Sequence, residues 1–311
     1  ISGVIEKFYQ IEDSDRKNYE YDQTEPVYYQ LGFEQNFEPL KLEGGKSVLL
    51  VSKHGKRKER VLYLHPGDKV RIYDNSSKEQ LFEITTQDSE RIALWKLNPE
   101  INSKKHIFIT HGTFSNRKIC SGIAEYLIEQ GFICWIMEWR NHGKSSKAQK
   151  KFDFETIAKY DLKSTFEFLF NDQNIKNIDC LAHSGGGIAL TMFLINNPSY
   201  QPKINSISLF GVQAFGAGTE FSNRMKILAS KYLTALLGTV PAKTAGSTEH
   251  SESYYTMKQW FNWNLRHNFI GENGFDYLRE MKKIKIPILS ICASGDYFIA
   301  PKVGCEKYLK A

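Results

Sequence analysis

The sequence predicts an α/β fold, a mostly parallel central sheet with helices on both faces, from three observations. Short apolar runs recur at 106–110, 132–137, 178–181, 204–212 and 286–292. Stretches with helical periodicity lie between them. The runs are apolar throughout rather than alternating, as strands covered on both faces must be.

Residues 1–40 are polar and rich in tyrosine and acids, with no clear period, and read as an irregular arm. Short β-like runs follow at 48–51, 61–64 and 70–73. A basic stretch at 53–60 and the turn signal His65-Pro66-Gly67-Asp68 separate them. Residues 1–78 therefore read as an N-terminal arm and small β-rich extension. The basic stretch suits contact with anionic lipid, but a solvated hairpin tip is the simpler reading. His54 and His65 sit in these turns and need no functional role.

Residues 81–86 and 91–95 read as a strand pair around a turn at 87–90. The strand at 106–110 runs into His111-Gly112-Thr113. Ser115 then reads as the cap of a helix bearing Ile119, Ile123 and Leu127 on one face, closed by Gly131. The strand at 132–137 ends in the turn 138–145. A second helix, capped by Asp153, carries Phe154, Ala158, Leu162, Phe166 and Phe170 four apart along one stripe. The strand at 178–181 leads into a helix that stops near Pro198, and 204–212 supplies the sixth strand.

Residues 214–275 interrupt the rhythm. They hold a helix with an apolar stripe of Phe221, Met225, Leu228, Ala229, Tyr232 and Leu236. A polar loop and an aromatic-rich helix around Tyr254, Met257, Trp260, Phe261 and Trp263 follow. This segment reads as a helical cap inserted after the sixth strand of a core at 79–213. Residues 276–311 read as a return to that core, apparently incomplete: a helix at 275–281 and a strand at 286–292 that ends at Ser294-Gly295-Asp296.

At 311 residues the chain can bury one substantial core plus an accessory piece. Its net charge of +6 is modest for that length and gives no nucleic-acid footprint. No apolar run reaches transmembrane length, and the first residues lack a signal-peptide pattern. The five cysteines, Cys120, Cys134, Cys180, Cys292 and Cys305, are scattered and odd in number. They read as free thiols, mostly in core strands, which suits a reducing, cytoplasmic setting. No cluster has metal-ligand spacing, no glycine loop suits a phosphate, and no cofactor is implied.

The chemistry concentrates at Ala182-His183-Ser184-Gly185-Gly186. A serine on a sharp strand-to-helix turn is a nucleophile elbow. The serine's strained backbone crowds the positions two before and two after it, so both must be small. Ala182 and Gly186 meet that demand, although alanine adds a methyl group to the crowded turn. The plain alternative is a tight turn with an inert serine.

Four motifs in register, from about Leu81 onward, resemble an α/β-hydrolase of the lipase or esterase kind. They are His111-Gly112-Thr113 after the third strand, the turn 138–145 after the fourth, the elbow, and the loop 294–301 after the seventh. The resemblance implies that Ser184 is the nucleophile, Asp296 the acid, and the backbone N–H groups of Thr113 and Gly185 the oxyanion donors. It gives His111, Gly112, Ala182, His183 and Gly186 structural roles in loop and elbow. A loop-forming Asx turn is the alternative for Asp296.

In such enzymes the order is serine, acid, histidine, and no histidine follows Asp296. His106, His111, His142, His183, His250 and His267 all precede it. Two explanations stand: the sequence continues past Ala311 to a base and an eighth strand, or the chain is a hydrolase-like scaffold with incomplete machinery. Because the other catalytic positions keep their chemistry, the first is preferred.

The expected substrate is a small-molecule carboxylic ester with a lipophilic acyl or alcohol group. Trp260, Phe261, Trp263 and Tyr255 are candidates to line its pocket, with cap packing as the alternative for these aromatics. Acyl transfer at the same site, or a non-catalytic lipid-binding or interaction module on this scaffold, are the other functional readings.

Overall fold

The computed structural model describes residues 79–99, 103–240 and 251–311, together with the backbone of five short strands before residue 65. It divides the chain into two compact units, 1–79 and 80–311.

In the first unit, Ile5–Ile11, Ser47–Ser52 and Arg60–Leu64 form an antiparallel sheet in the order first, second, third. Ser2–Gly3 pairs in parallel with Gln30–Leu31. The strand at Ile5–Ile11 corrects the expectation of an irregular arm. Its pairing with Ser47–Ser52 shifts register between Ile5 and Phe8, and a bulge of this kind breaks the two-residue alternation by which a strand is recognised. The expected strand at 70–73, the turn 65–68, most of the basic stretch and His250 lie outside the described residues.

The main sheet of the second unit has seven strands among the described residues: β1 (Glu79–Thr85), β2 (Arg91–Leu97), β3 (Lys105–Thr110), β4 (Phe132–Glu138), β5 (Ile178–His183), β6 (Ile204–Phe210) and β7 (Ile288–Ile291). They lie side by side in the order β1-β2-β4-β3-β5-β6-β7. The pairs β3–β4, β3–β5, β5–β6 and β6–β7 are parallel, and β2 runs antiparallel to β4. All the parallel strands therefore end at one edge of the sheet, where an α/β protein gathers its functional loops.

Among the described residues, the sheet is accompanied by α1 (Ser121–Glu129), α2 (residues 154–172), α3 (Gly185–Asn196), α4 (Phe221–Leu237), α5 (Tyr254–Arg266), α6 (Tyr277–Glu280) and α7 (Lys302–Leu309). Asp153 caps α2 by accepting the Thr156 N–H at 2.8 Å, as expected. The whole predicted stripe, Phe154 to Phe170, is buried. Within α2, residues Ile157–Leu162 and Phe168–Asp172 are wound wider than an α-helix; at the end the Gln173 N–H reaches back five residues to the Phe168 carbonyl. The cap of the 3-10 turn Arg117–Cys120, which leads into α1, is Asn116 rather than Ser115. Asn116 Oδ1 accepts the Lys118 N–H, while Ser115 Oγ turns back to the Gly112 carbonyl at 2.9 Å.

The core lies on both faces of the sheet. The larger cluster joins the inner strands to α2, α3 and the inserted helices, and a smaller one packs α1 against β3 and β4. Helix α3 is buried from Gly185 to Ile195, which explains why its apolar residues show no one-sided pattern. Cys292 falls just beyond β7 and is half-buried, whereas the other four cysteines are buried. Burial pushes the thiols up, to about 12 at Cys120 and Cys134, so neither is a ready nucleophile.

Candidate active site

Ser184 sits between β5 and α3 with φ +49° and ψ −124°, a region that costs a non-glycine residue about 1–3 kcal/mol. The surroundings hold it there. Its N–H donates to the Phe210 carbonyl at the end of β6 at 2.9 Å, and its own carbonyl accepts the Gly187 N–H at 2.9 Å. The serine itself is half-buried, while Ala182, Gly185 and Gly186 are buried.

Each small residue around the serine has a steric cause. A Cβ on Gly186 would run into the His111 carbonyl, one on Gly187 into Val212, and one on Gly112 would lie 2.7 Å from Ser184 Cβ. A Cβ on Gly185 would lie 2.9 Å from Phe154 and 3.1 Å from Thr113 Cγ2. The loop after β3 is thus pressed against the elbow, which brings Gly112 and Thr113 beside Ser184 and Gly185. Gly185 opens α3, so the positive end of the helix dipole faces the same spot.

His111 and His183 support this frame. Trp139 N–H donates to His111 Nε2 at 3.2 Å, so that nitrogen is an acceptor. The proton is therefore on Nδ1, which donates to the Gly112 carbonyl at 2.7 Å. The ring stacks on Trp139 with centroids 4.7 Å apart. His183 Nδ1 is buried beside Gly112 without a hydrogen-bond partner, and burial holds its pKa below the usual imidazole range.

Asp296 follows β7, the neighbour of β6. Gly211 N–H donates to the Ile291 carbonyl at 2.8 Å, and Gln213 Nε2 donates to the Ile299 carbonyl at 2.6 Å. These bonds tie the acid-bearing loop to the strand end whose Phe210 carbonyl holds Ser184. The Asp296 carboxylate is fixed by three amides of its own loop: Oδ1 accepts from Phe298 at 3.0 Å and Ile299 at 2.9 Å, and Oδ2 from Ala300 at 3.1 Å. The Asx-type bonding expected as the alternative is thus present, and it orients the carboxylate in either role.

Two buried charge clusters near the elbow escaped the sequence reading. In the first, Arg140 donates to Asp161 from Nη2 at 2.6 Å and from Nε at 2.9 Å. It also donates to Asp88 from Nη1 at 2.7 Å and from Nη2 at 3.0 Å. This links the turn after β4 to α2 and to the β1–β2 turn. In the second, Glu252 Oε2 accepts the Phe114 N–H at 3.2 Å and lies 3.4 Å from His142 Nε2. His142 Nδ1 bonds the Arg140 carbonyl at 3.0 Å. Burial works against the His142 imidazolium, but the Glu252 charge, hydrogen bonds to Glu252 and Arg140, and the Glu138 charge together hold its pKa above the usual range. Phe114, at φ +60°, follows Thr113, so Glu252 braces the loop beside the elbow from the inserted segment. Glu252 was not legible because it lies in a polar run, Ser251-Glu252-Ser253, where an acid reads as solvated.

The aromatic candidates separate. Trp260, Phe261 and Trp263 are buried in the main core. Trp263 packs against Phe154 and Phe269 with centroids 5.6 and 4.9 Å away and donates from Nε1 to the Ile270 carbonyl at 2.7 Å. The burial of all three fits cap packing, the alternative weighed for these aromatics, with Trp263 set against Phe154 of α2. Tyr255 is half-buried, with Lys151 Nζ 5.0 Å above its ring. A cavity of about 550 Å³ lies elsewhere, between β1 and α2, and has a mostly polar wall that includes Glu83, Lys159, Lys163 and Glu167.

Sheet order and a strained serine at the β5–α3 turn together define an α/β-hydrolase scaffold with a nucleophile elbow. The family model of Hydrolase_4, described as serine aminopeptidase, S33, matches residues 101–311, and the chain belongs to that family. It is similar to Sterol esterase 2 of Saccharomyces cerevisiae, 25% identical over 139 residues. That match covers 37% of this chain and 25% of the relative, so the chain spans about a quarter of the relative's length. The esterase EaEST from Exiguobacterium antarcticum shares the fold with a TM-score of 0.54 and 16% identity, over 73% of this chain and 85% of its own. The α/β hydrolase GrgF from Penicillium sp. sh18 does so with a TM-score of 0.52 and 14% identity, over 75% and 84%.

Proposed function

We propose that the chain cleaves a carboxylic ester with a lipophilic acyl or alcohol group, through an acyl-enzyme on Ser184. The observation that carries this reading is the serine at φ +49° with Gly112, Thr113 and Gly185 packed around it. In this reading Ser184 Oγ attacks the ester carbonyl and gives its proton to a histidine base. The Thr113 and Gly185 N–H groups take the developing oxyanion; losing one such donor elsewhere costs about 3 kcal/mol of transition-state stabilisation. The alkoxide leaves with the base's proton, and water releases the acid by the reverse steps.

Asp296 orients the base. Among the described histidines, His106 accepts from Trp135 Nε1, His111 and His142 are bonded as above, His267 meets Arg224 Nη1 at 3.3 Å, and His183 Nδ1 is buried beside Gly112 without a hydrogen-bond partner. The base is therefore assigned to none of them. The lipophilic preference rests on the likeness to a sterol esterase.

The test is labelling of the full-length protein with a fluorophosphonate, followed by turnover of p-nitrophenyl esters of increasing chain length. Ser184→Ala should abolish both, and rates should rise from acetyl to longer acyl groups. A strict acetyl preference would remove the lipophilic substrate. Faster cleavage of aminoacyl p-nitroanilides than of any ester would replace the ester by a peptide.

A further inference from the structure

Helix α4 is inside out. Of its apolar stripe, Phe221, Met225, Tyr232 and Leu236 are 77%, 48%, 68% and 83% exposed. At about 100° per residue these four share one face. The face turned inward carries Asn223, Ile227 and Thr234, and Asn223 Nδ2 donates to the Tyr297 carbonyl at 2.8 Å. The helix is therefore held down by a polar contact and presents its greasiest side to the surroundings.

The charges on the helix say what suits that side. Residues 221–237 include Arg224, Lys226 and Lys231 and no acid. On the helical wheel Arg224 and Lys231 flank one margin of the stripe and Lys226 the other. Apolar contact continues past the helix: Tyr297 and Ile299 of the Asp296 loop are 80% and 47% exposed, and Lys226 Nζ lies 5.5 Å from the Phe298 ring centre. An apolar stripe with basic margins is the pattern of a helix lying in the plane of a lipid–water interface. No helix among the described residues is long and apolar enough to cross a membrane.

We infer that α4 and the Tyr297–Ile299 tip dock this protein onto an anionic lipid surface. The apolar side chains enter the headgroup boundary, and Arg224, Lys226 and Lys231 meet lipid phosphates and carboxylates. Docking would bring the loop bearing Asp296 against the lipid, so that an insoluble ester enters without crossing water. The docking surface stands whether or not Ser184 is a nucleophile.

The test is flotation of the full chain with vesicles of phosphatidylcholine alone or with equal parts phosphatidylserine. The wild type should float with the mixed vesicles, and less so at high salt. Met225→Ser combined with Leu236→Ser should weaken binding on the order of tenfold or more, as should Lys226→Glu combined with Lys231→Glu. Met225, Lys226 and Leu236 are exposed and Lys231 is half-buried, and an unchanged circular dichroism melt will show that the fold is intact. Ser184→Ala should float like the wild type, so loss of fluorophosphonate labelling with flotation retained separates the chemistry from the docking. Wild-type protein that stays unbound, or variants that bind as it does, would overturn the inference. So would a wild-type dimer in light scattering that the serine variants dissociate, since the face would then belong to a second copy of the chain.

Discussion

The elbow and helix α4 are both built from a short, readable pattern, yet only the elbow could be placed from sequence. At the elbow each residue choice answers a collision within a few ångströms: Gly186 meets the His111 carbonyl, Gly112 meets Ser184, and Gly187 meets Val212. Helix α4 has an equally clear period, but a period fixes only that one face is apolar, not which way it points. Local sterics specify position, whereas amphipathicity specifies orientation only if the partner on the other side is known.

The contrast can be broken by substitution. The largest effect is expected at the frame around the elbow. Arg140→Met would strand Asp161, whose own carboxyl burial pushes up and Arg140 pulls down, with burial the stronger. Removing one partner of such a buried pair costs about 3–5 kcal/mol, readable as a fall in the urea midpoint. Gly186→Ala comes next, at about 1–3 kcal/mol for overpacking, with activity falling because the turn must shift. If Gly186→Ala is as stable as the wild type, the elbow is not sterically fixed.

Glu252→Gln sharpens the comparison because Glu252 bonds the loop beside the elbow through Phe114 and pairs as a short strand with Val240, just past the end of α4. Losing the charge-assisted bond to Phe114 should cost about 1.5–3 kcal/mol at most. It should lower kcat more than it raises KM, since the Thr113 amide beside Phe114 would lose its support. The pH dependence has a definite sign. The folded His142 pKa lies above the unfolded value of about 6.5. The His142–Glu252 contact therefore stabilises fully below that value and is lost as pH rises through the folded pKa. The stability gap between wild type and Glu252→Gln should accordingly narrow from pH 6 towards higher pH in thermal melts. A gap that widens would mean His142 is neutral in the fold. The smallest effect is expected on α4: Leu236→Ser should leave stability in solution within about 0.5 kcal/mol.

These regions also show what was legible. The core strands and the helix stripe from Phe154 to Phe170 could be read because burial on both faces imposes a pattern along the chain. The turns at Asp153, Gly131 and Ser184 could be read because backbone geometry restricts the residue locally. Glu252, His142 and Arg140 could not, since each meets its partners only after distant segments have packed. Trp260, Phe261 and Trp263 carried a signal for burial but none for what they would be buried against. The basic stretch at 53–60 drew the lipid-surface reading, while α4 was read only as part of the inserted cap.

The account rests on the reactivity of one hydroxyl, and intact mass after incubation with a fluorophosphonate measures it directly. We expect the full-length protein to gain the mass of a single phosphonyl adduct that maps to Ser184 and is absent from Ser184→Ala. An unmodified mass, or an adduct on another residue, would contradict the assignment of Ser184 as nucleophile.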